Sequence, residues 1–183
     1  FLRQGKSISE TNKLIKDSTV LSKVAQMQPE DSSKVLTATL NGFQMAADQA
    51  EYINDILSSI DLESAADASG LGTALTKVAS MAHNAGLSVE KTVASLATMK
   101  DVTQAPDESI GNALKSVLSR MNQIKAGKFV DDETGEALND TEKVLNKVGI
   151  SMRDVNGQFL EAEVIMDNVG QKWGTFDKNT QKA

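Results

Sequence analysis

Residues 69–101 read SGLGTALTKVASMAHNAGLSVEKTVASLATMKD, and the fold class follows from them. Leu71, Leu75, Val78, Ala82 and Ala85 recur at intervals of three and four, which places them on one face of an α-helix. Gly86 stands where a left-handed helix cap is expected, and Leu87 can close the apolar contact behind it. Ser69 is expected to cap this helix, over about residues 70–85, and Ser88 to cap a second. The second carries Val89, Val93, Leu96 and Ala97 and ends near Val102. Amphipathic helices joined by so short a turn bury their apolar faces as antiparallel neighbours.

The same grammar extends outward. Towards the N-terminus, residues 7–27 predict a helix capped by Ser7 or Ser9, with Glu10 supporting Ser7 as a capping box, and a break at Asp17-Ser18-Thr19. Pro29, followed by Glu30 and Asp31, opens a helix bearing Leu36, Leu40 and Phe43 that ends at Gly42. Ala46, Ala50, Ile53, Leu57 and Ile60 define a third, followed by a connection over 61–68. Towards the C-terminus, Pro106, Asp107 and Glu108 start a helix with the stripe Ile110, Leu114, Val117, Met121 and Ile124, stopped after Lys125 by Gly127. Residues 130–140 are an acidic, turn-rich loop, and a short helix over 141–148 stops at Gly149. Asn156-Gly157 predicts a small β-hairpin near residues 152–160. A last helix carries Ala162, Ile165, Met166, Val169 and Trp173, and Asp177 or Asn179 starts another.

The expected fold is therefore all-α, a compact array of seven to nine short amphipathic helices with that hairpin. The expected division is a helical domain over 1–127 and, over 128–183, an acidic loop, short helix, hairpin and Trp-bearing helix packed on or next to it. No heptads are sustained and no internal repeat is evident.

Composition narrows the function classes. Aromatic residues make up 4% of the 183, so Ala, Leu, Val, Ile and Met must build the core, which suits close helix packing. With no cysteine, thiolate metal sites and disulfides are excluded. A net charge of −6 opposes specific nucleic-acid binding. No run of about 18 apolar residues spans a bilayer, so membrane contact is expected only through parts outside this sequence. The chain begins at Phe1 without a leader, and is expected to be a piece of a longer protein.

Each chemical candidate has a plainer reading. His83 is the lone histidine, beside a core stripe, without the nucleophile or second ligand that catalysis or metal binding needs. Asp154, Asn156, Gly157 and Glu163 fit the third, fifth, sixth and twelfth places of a calcium loop. Met152 stands at the first place, where a hard oxygen is required, and Arg153 beside it repels a cation. The acidic run Asp131, Asp132, Glu133 and Glu136 reads as a solvated loop. Gly70-Leu71-Gly72 lacks the lysine and preceding strand of a phosphate loop. The methionines read as core filling, with an adaptable binding surface as the other reading. Trp173, followed by Gly174 and Phe176, reads as a packing anchor, with an interface anchor as the other reading. No catalytic, cofactor-binding or metal-binding residue is assigned, and no enzyme activity is expected.

Four stretches, in order, resemble a known family. These are LTATLNGFQMAADQAEYINDILSSI (36–60), the stretch 69–101 quoted above, GNALKSVLSRMNQIKAG (111–127) and LNKVGISMRDVNGQFLEAEVIMDNVGQKW (145–173). The ordered set is similar to the conserved helical core region of bacteriophage tail tape measure proteins, and residues 1–30 match least. The resemblance implies a structural component of the virion that occupies the tail tube lumen, sets tail length during assembly and assists genome delivery. It implies synthesis in the host cytoplasm. The partners it implies are the tail tube protein, tail assembly chaperones, tail tip proteins and other copies of itself. Because a ruler is extended and these helices fold back, the region is expected to be a compact module at one end of a longer rod. The alternative is a helical protein-interaction module of a bacterial surface or scaffold protein.

Overall fold

Backbone capping sets where the helices begin in this computed structural model, which describes residues 7–61, 66–126 and 139–178. The first helix, α1 (Ile8–Val24), opens on a capping box. Ser7 Oγ accepts the Glu10 N–H at 3.2 Å, and the Glu10 carboxylate accepts the Ser7 N–H at 2.8 Å. The expected break at Asp17-Ser18-Thr19 does not form. The Ser18 and Thr19 hydroxyls donate back to the Ile15 carbonyl, at 3.0 and 2.8 Å, so they no longer compete for the helix's own amides. Replacing Ser7 with alanine is expected to cost about 1 kcal/mol, read as a lower urea midpoint at unchanged slope.

Next come α2 (Pro29–Gly42), a single 3-10 turn (Ala47–Gln49) and α3 (Ala50–Asp61). The helix α4 (Ala68–Asn84) starts earlier than expected, because Asp67 rather than Ser69 caps it: Asp67 Oδ1 accepts the Gly70 N–H at 2.7 Å. Ser88 Oγ caps α5 (Val89–Thr103), accepting from Lys91 N–H. Pro106 precedes α6 (Asp107–Lys125). Lys100 ties the corner between α5 and α6, pairing with Asp107 at 2.6 Å and donating to the Ala105 carbonyl at 3.1 Å. The remaining elements are α7 (Asn139–Lys147), α8 (Ala162–Lys172) and a 3-10 turn (Trp173–Thr175). Gly127, residues 130–138 of the acidic loop and Asn179 lie outside the described residues, and the last two residues of that loop, Asn139 and Asp140, open α7 instead.

The described residues fall into two units. One holds 7–61, 66–83 and 88–116; the other holds 84–87, 117–126 and 139–178. In the first, α1 packs against α2 and α3, and α3 against α5. The helix α4 has a larger buried share than α1, α2 or α5. Nine of its 17 residues are buried, spread over an arc far wider than one amphipathic stripe. Leu71, Leu75, Val78 and Ala82 fill the middle of that arc. Its two edges are small residues. Gly72 meets Val35 of α2, and Ala79 meets Gly42 of α2 so closely that a Cβ on Gly42 would lie 2.6 Å from the Ala79 Cβ. On the opposite edge Gly70 lies under the Asp107 carboxylate, and Ala74 presents its backbone to Gly111 of α6.

In the second unit Ala85, Leu87, Leu118, Met121, Ile124, Ile150, Met152, Ala162 and Ile165 are buried. Gly86 takes the expected left-handed conformation, φ 80°. Glu161 occupies the space a side chain on Gly86 would need, and Ala162 N–H donates to the Ala85 carbonyl at 2.9 Å. Lys172 of α8 donates to the Gly149 carbonyl at the end of α7.

The β-hairpin expected near 152–160 is corrected. No strand forms among the described residues; a single antiparallel bridge, Arg153 with Phe159, closes a loop. The sequence rule assumes a two-residue turn at Asn156-Gly157. Instead the turn is Asp154–Gly157, closed by Gly157 N–H to the Asp154 carbonyl at 3.0 Å, with Gly157 left-handed at φ 79°. Asp154 Oδ1 also accepts the N–H groups of Asn156 and Gln158 at 2.9 and 2.8 Å. Only two backbone bonds cross the loop, Asp154 N–H to the Gln158 carbonyl at 2.8 Å and Leu160 N–H to the Met152 carbonyl at 2.9 Å, and the Asp154 side chain takes the amides of the turn itself.

Candidate functional site

Among the described residues, the candidates singled out in the sequence, His83, the Gly70–Gly72 stretch, the Asp154–Glu163 stretch and Trp173, do not converge on one site. His83 lies in the last turn of α4, half-buried, edge-on to the buried Phe43 with ring centroids 6.2 Å apart. That geometry is aromatic packing. Gly70 and Gly72 lie inside α4, where they allow close helix contact. The amide end of α4 faces the carboxylates of Asp67 and Asp107, so the chain itself supplies the negative charge favoured there.

The calcium-loop residues are spent on local structure. Met152, at the place of the first ligand, is 1% exposed in the core. Asp154 accepts two backbone amides through one oxygen, and Glu163 is in the first turn of α8. The acidic run 131–136 lies outside the described residues. Among the described residues no group of three or more His, Cys, Asp or Glu converges to hold a metal. No described helix is long and apolar enough to cross a membrane.

Two sequence readings change. Of the methionines, Met121 and Met152 are buried, while Met27, Met45, Met81, Met99 and Met166 are half-buried at helix margins. Trp173 is 48% exposed just beyond α8 and stacks edge-on with Phe176, centroids 6.0 Å apart. It is a surface aromatic rather than a buried anchor. Val155 and Val164 are also exposed in this unit.

Among the described residues, one polar side chain with several partners was missed by sequence reasoning. Arg153 Nε donates to Glu142 Oε1 at 2.7 Å and Nη2 to Oε2 at 3.4 Å, a two-pronged pair with α7. Nη1 donates to the Gly157 carbonyl at 3.3 Å, and the guanidinium lies 5.6 Å from the centroid of Phe159. The pair with Glu142 holds the guanidinium more firmly charged than a free arginine. The arrangement clamps α7 to the 152–160 loop; it orients structure and presents no reactive atom. Arg153→Ala is expected to speed hydrogen exchange across α7 while leaving α4 unchanged, and high salt should move the wild type in the same direction.

A surface groove lies between α2, α4 and the start of α6, floored by Val35, Ala38, Thr73 and Thr76. Its rims carry ion pairs, Lys34 with Glu30 at 2.9 Å and Lys77 with Glu108 at 3.1 Å. Exposed pairs of this kind contribute little to stability.

Comparison with known proteins bears on this geometry. The model of the family described as "Phage-related minor tail protein" matches residues 1–183. The "Probable tape measure protein" of Escherichia phage P2 is 30% identical over 150 residues, 82% of this chain and 16% of that protein. The "Tape measure protein" of Pneumococcus phage Dp-1 is 27% identical over 129 residues, 70% of this chain and 10% of that protein. The chain thus spans a small part of the length of the curated relatives it matches. No solved structure matches it.

Proposed function

The chain belongs to the phage-related minor tail protein family, and from that premise we propose that it is a structural segment of a tape measure protein. In this reading the whole protein occupies the tail tube lumen, sets tail length during assembly and assists genome delivery. Its partners are the tail tube protein, the assembly chaperones, the tail tip and other copies of itself. The segment has no catalytic role. The observation that carries the reading is the similarity to two proteins described as tape measures, over 82% and 70% of this chain. The side-chain chemistry supports it. Among the described residues, Glu10, Asp67, Asp107 and Arg153 serve caps, corners and clamps.

We further propose that the region is a compact module on a longer rod, which opens on packing into the tube. Fully extended as one helix, its 183 residues would span about 270 Å at 1.5 Å per residue. The test is an in-frame removal of these codons from the phage gene, with tail lengths measured by electron microscopy. Shorter tails, by an amount up to that span, are expected. Tails of unchanged length would contradict a ruler role for this segment.

A further inference from the structure

We propose that Asn156 is a site of spontaneous modification: the Asn156–Gly157 bond cyclises to a succinimide and hydrolyses to aspartate and isoaspartate. The same dipeptide at Asn41–Gly42 is held inert by its helix. In the reaction the Gly157 backbone nitrogen gives its proton to water or hydroxide and attacks Asn156 Cγ. A C–N bond forms and ammonia leaves. Water then opens the ring at either carbonyl. The balance is one side-chain amide and one water consumed, one carboxylate and one ammonia formed.

Three requirements follow from this chemistry: access for base and water, no bulk on the following residue, and an asparagine backbone free to rotate into the ring. At the first site both residues are exposed, and a Cβ on Gly157 would meet nothing within 4 Å. The Gly157 N–H is held by one bond, to the Asp154 carbonyl, and the Asn156 and Gln158 N–H groups by Asp154 Oδ1, so rotation of Asn156 requires this exposed turn to open. Such turns open at low free energy. Arg153 Nη1, on the Gly157 carbonyl at 3.3 Å, sets a positive charge one peptide from the nitrogen that must become anionic.

At the second site the exposure is similar but the backbone is not. Asn41 is exposed, yet it lies in the last turn of α2. Ring closure requires its ψ to leave the helical value. Gly42 cannot follow in place, because a Cβ there would lie 2.9 Å from the Ser80 nitrogen and 2.6 Å from the Ala79 Cβ, so its Cα is pressed against α4. Reaction at Asn41 must wait until the end of α2 peels away.

Conversion at Asn156 would alter the clamp described above. Either product adds a negative charge near Arg153, and isoaspartate also adds a backbone carbon between Asp154 and Gly157. The purified protein, incubated at mildly alkaline pH and body temperature, tests this by peptide mapping with mass spectrometry and isoaspartate detection. In the folded protein Asn156 is expected to convert about tenfold or more faster than Asn41. In concentrated urea the two rates should converge. Equal rates in the folded protein would overturn the proposal. So would a gap that persists in urea, since the fold would then not be its cause.

Discussion

Gly111→Ala is expected to destabilise the protein by about 2–3 kcal/mol, although alanine is the better helix former. The reason is a backbone contact. A Cβ on Gly111 would lie 2.4 Å from the Ala74 carbonyl oxygen and 3.0 Å from the Ala74 Cα. No rotamer change relieves a clash with main chain, so α6 must move off α4. Ile110 and Leu114, the buried side chains that flank Gly111 on α6, would then lose part of their burial. The same substitution at Gly170 supplies the control. Gly170 is inside α8, and a Cβ added there would meet nothing within 4 Å, so Gly170→Ala is expected to stabilise by about 0.5–1 kcal/mol. Urea unfolding followed by circular dichroism reads both signs. A Gly111→Ala protein as stable as the wild type would mean that α4 and α6 are not in backbone contact.

Asp17→Asn is expected to stabilise the protein at neutral pH by about 1–2 kcal/mol, because it removes a charge that burial disfavours. Asp17 is 4% exposed on the face of α1 that meets α3, and its Oδ2 has no hydrogen-bond partner. Asn54 of α3 donates from Nδ2 to the Asp17 carbonyl at 3.0 Å, while its own Oδ1 is likewise without a partner. Burial raises the Asp17 carboxyl above its ordinary 3.8; Lys13 opposes the rise, Glu51 adds to it, and Lys16 opposes it weakly. A raised folded-state value means that the native protein holds this proton more tightly than the unfolded chain. The contribution is therefore favourable in acid and is lost as pH rises from about 3.8 through the folded-state value. The advantage of Asp17→Asn over the wild type should accordingly grow from acid to neutral pH and then level off. Parallel urea titrations across that range check it. A difference that shrinks with rising pH would contradict a buried, destabilised carboxylate.

Much of this fold is legible in the sequence because caps and breakers are local. Ser7 with Glu10, Pro29, Gly86 and Ser88 mark helix ends through groups that touch their own backbone, and the structure puts the ends there. What is not legible depends on a second element. The stripe of α4 is readable, but not its edges: Gly72 and Ala79 against α2, Gly70 and Ala74 against α6, are small residues whose meaning lies in what approaches them. Gln26, Gln44 and Gln104 hold the left-handed region at helix ends, where glycine or asparagine is the usual signal. Asn156-Gly157 reads as a two-residue turn because the competing acceptor, Asp154, acts through its side chain.

The functional residues divide in the same way. His83, Asp154 and Trp173 are visible by type, and the structure gives each a local packing or turn role, with Trp173 left at the surface. Arg153 reads in the sequence only as a charge hostile to calcium. Its pair with Glu142 spans 11 positions, a separation that no helical or strand period marks.

Hydrogen exchange on the intact protein tests most directly the claim that α4 organises its unit through close backbone contact on two edges. The amides of α4 between Leu71 and Ala82 are expected to exchange more slowly than those in α1 and α2. An α4 that exchanges as fast as α1 would contradict it.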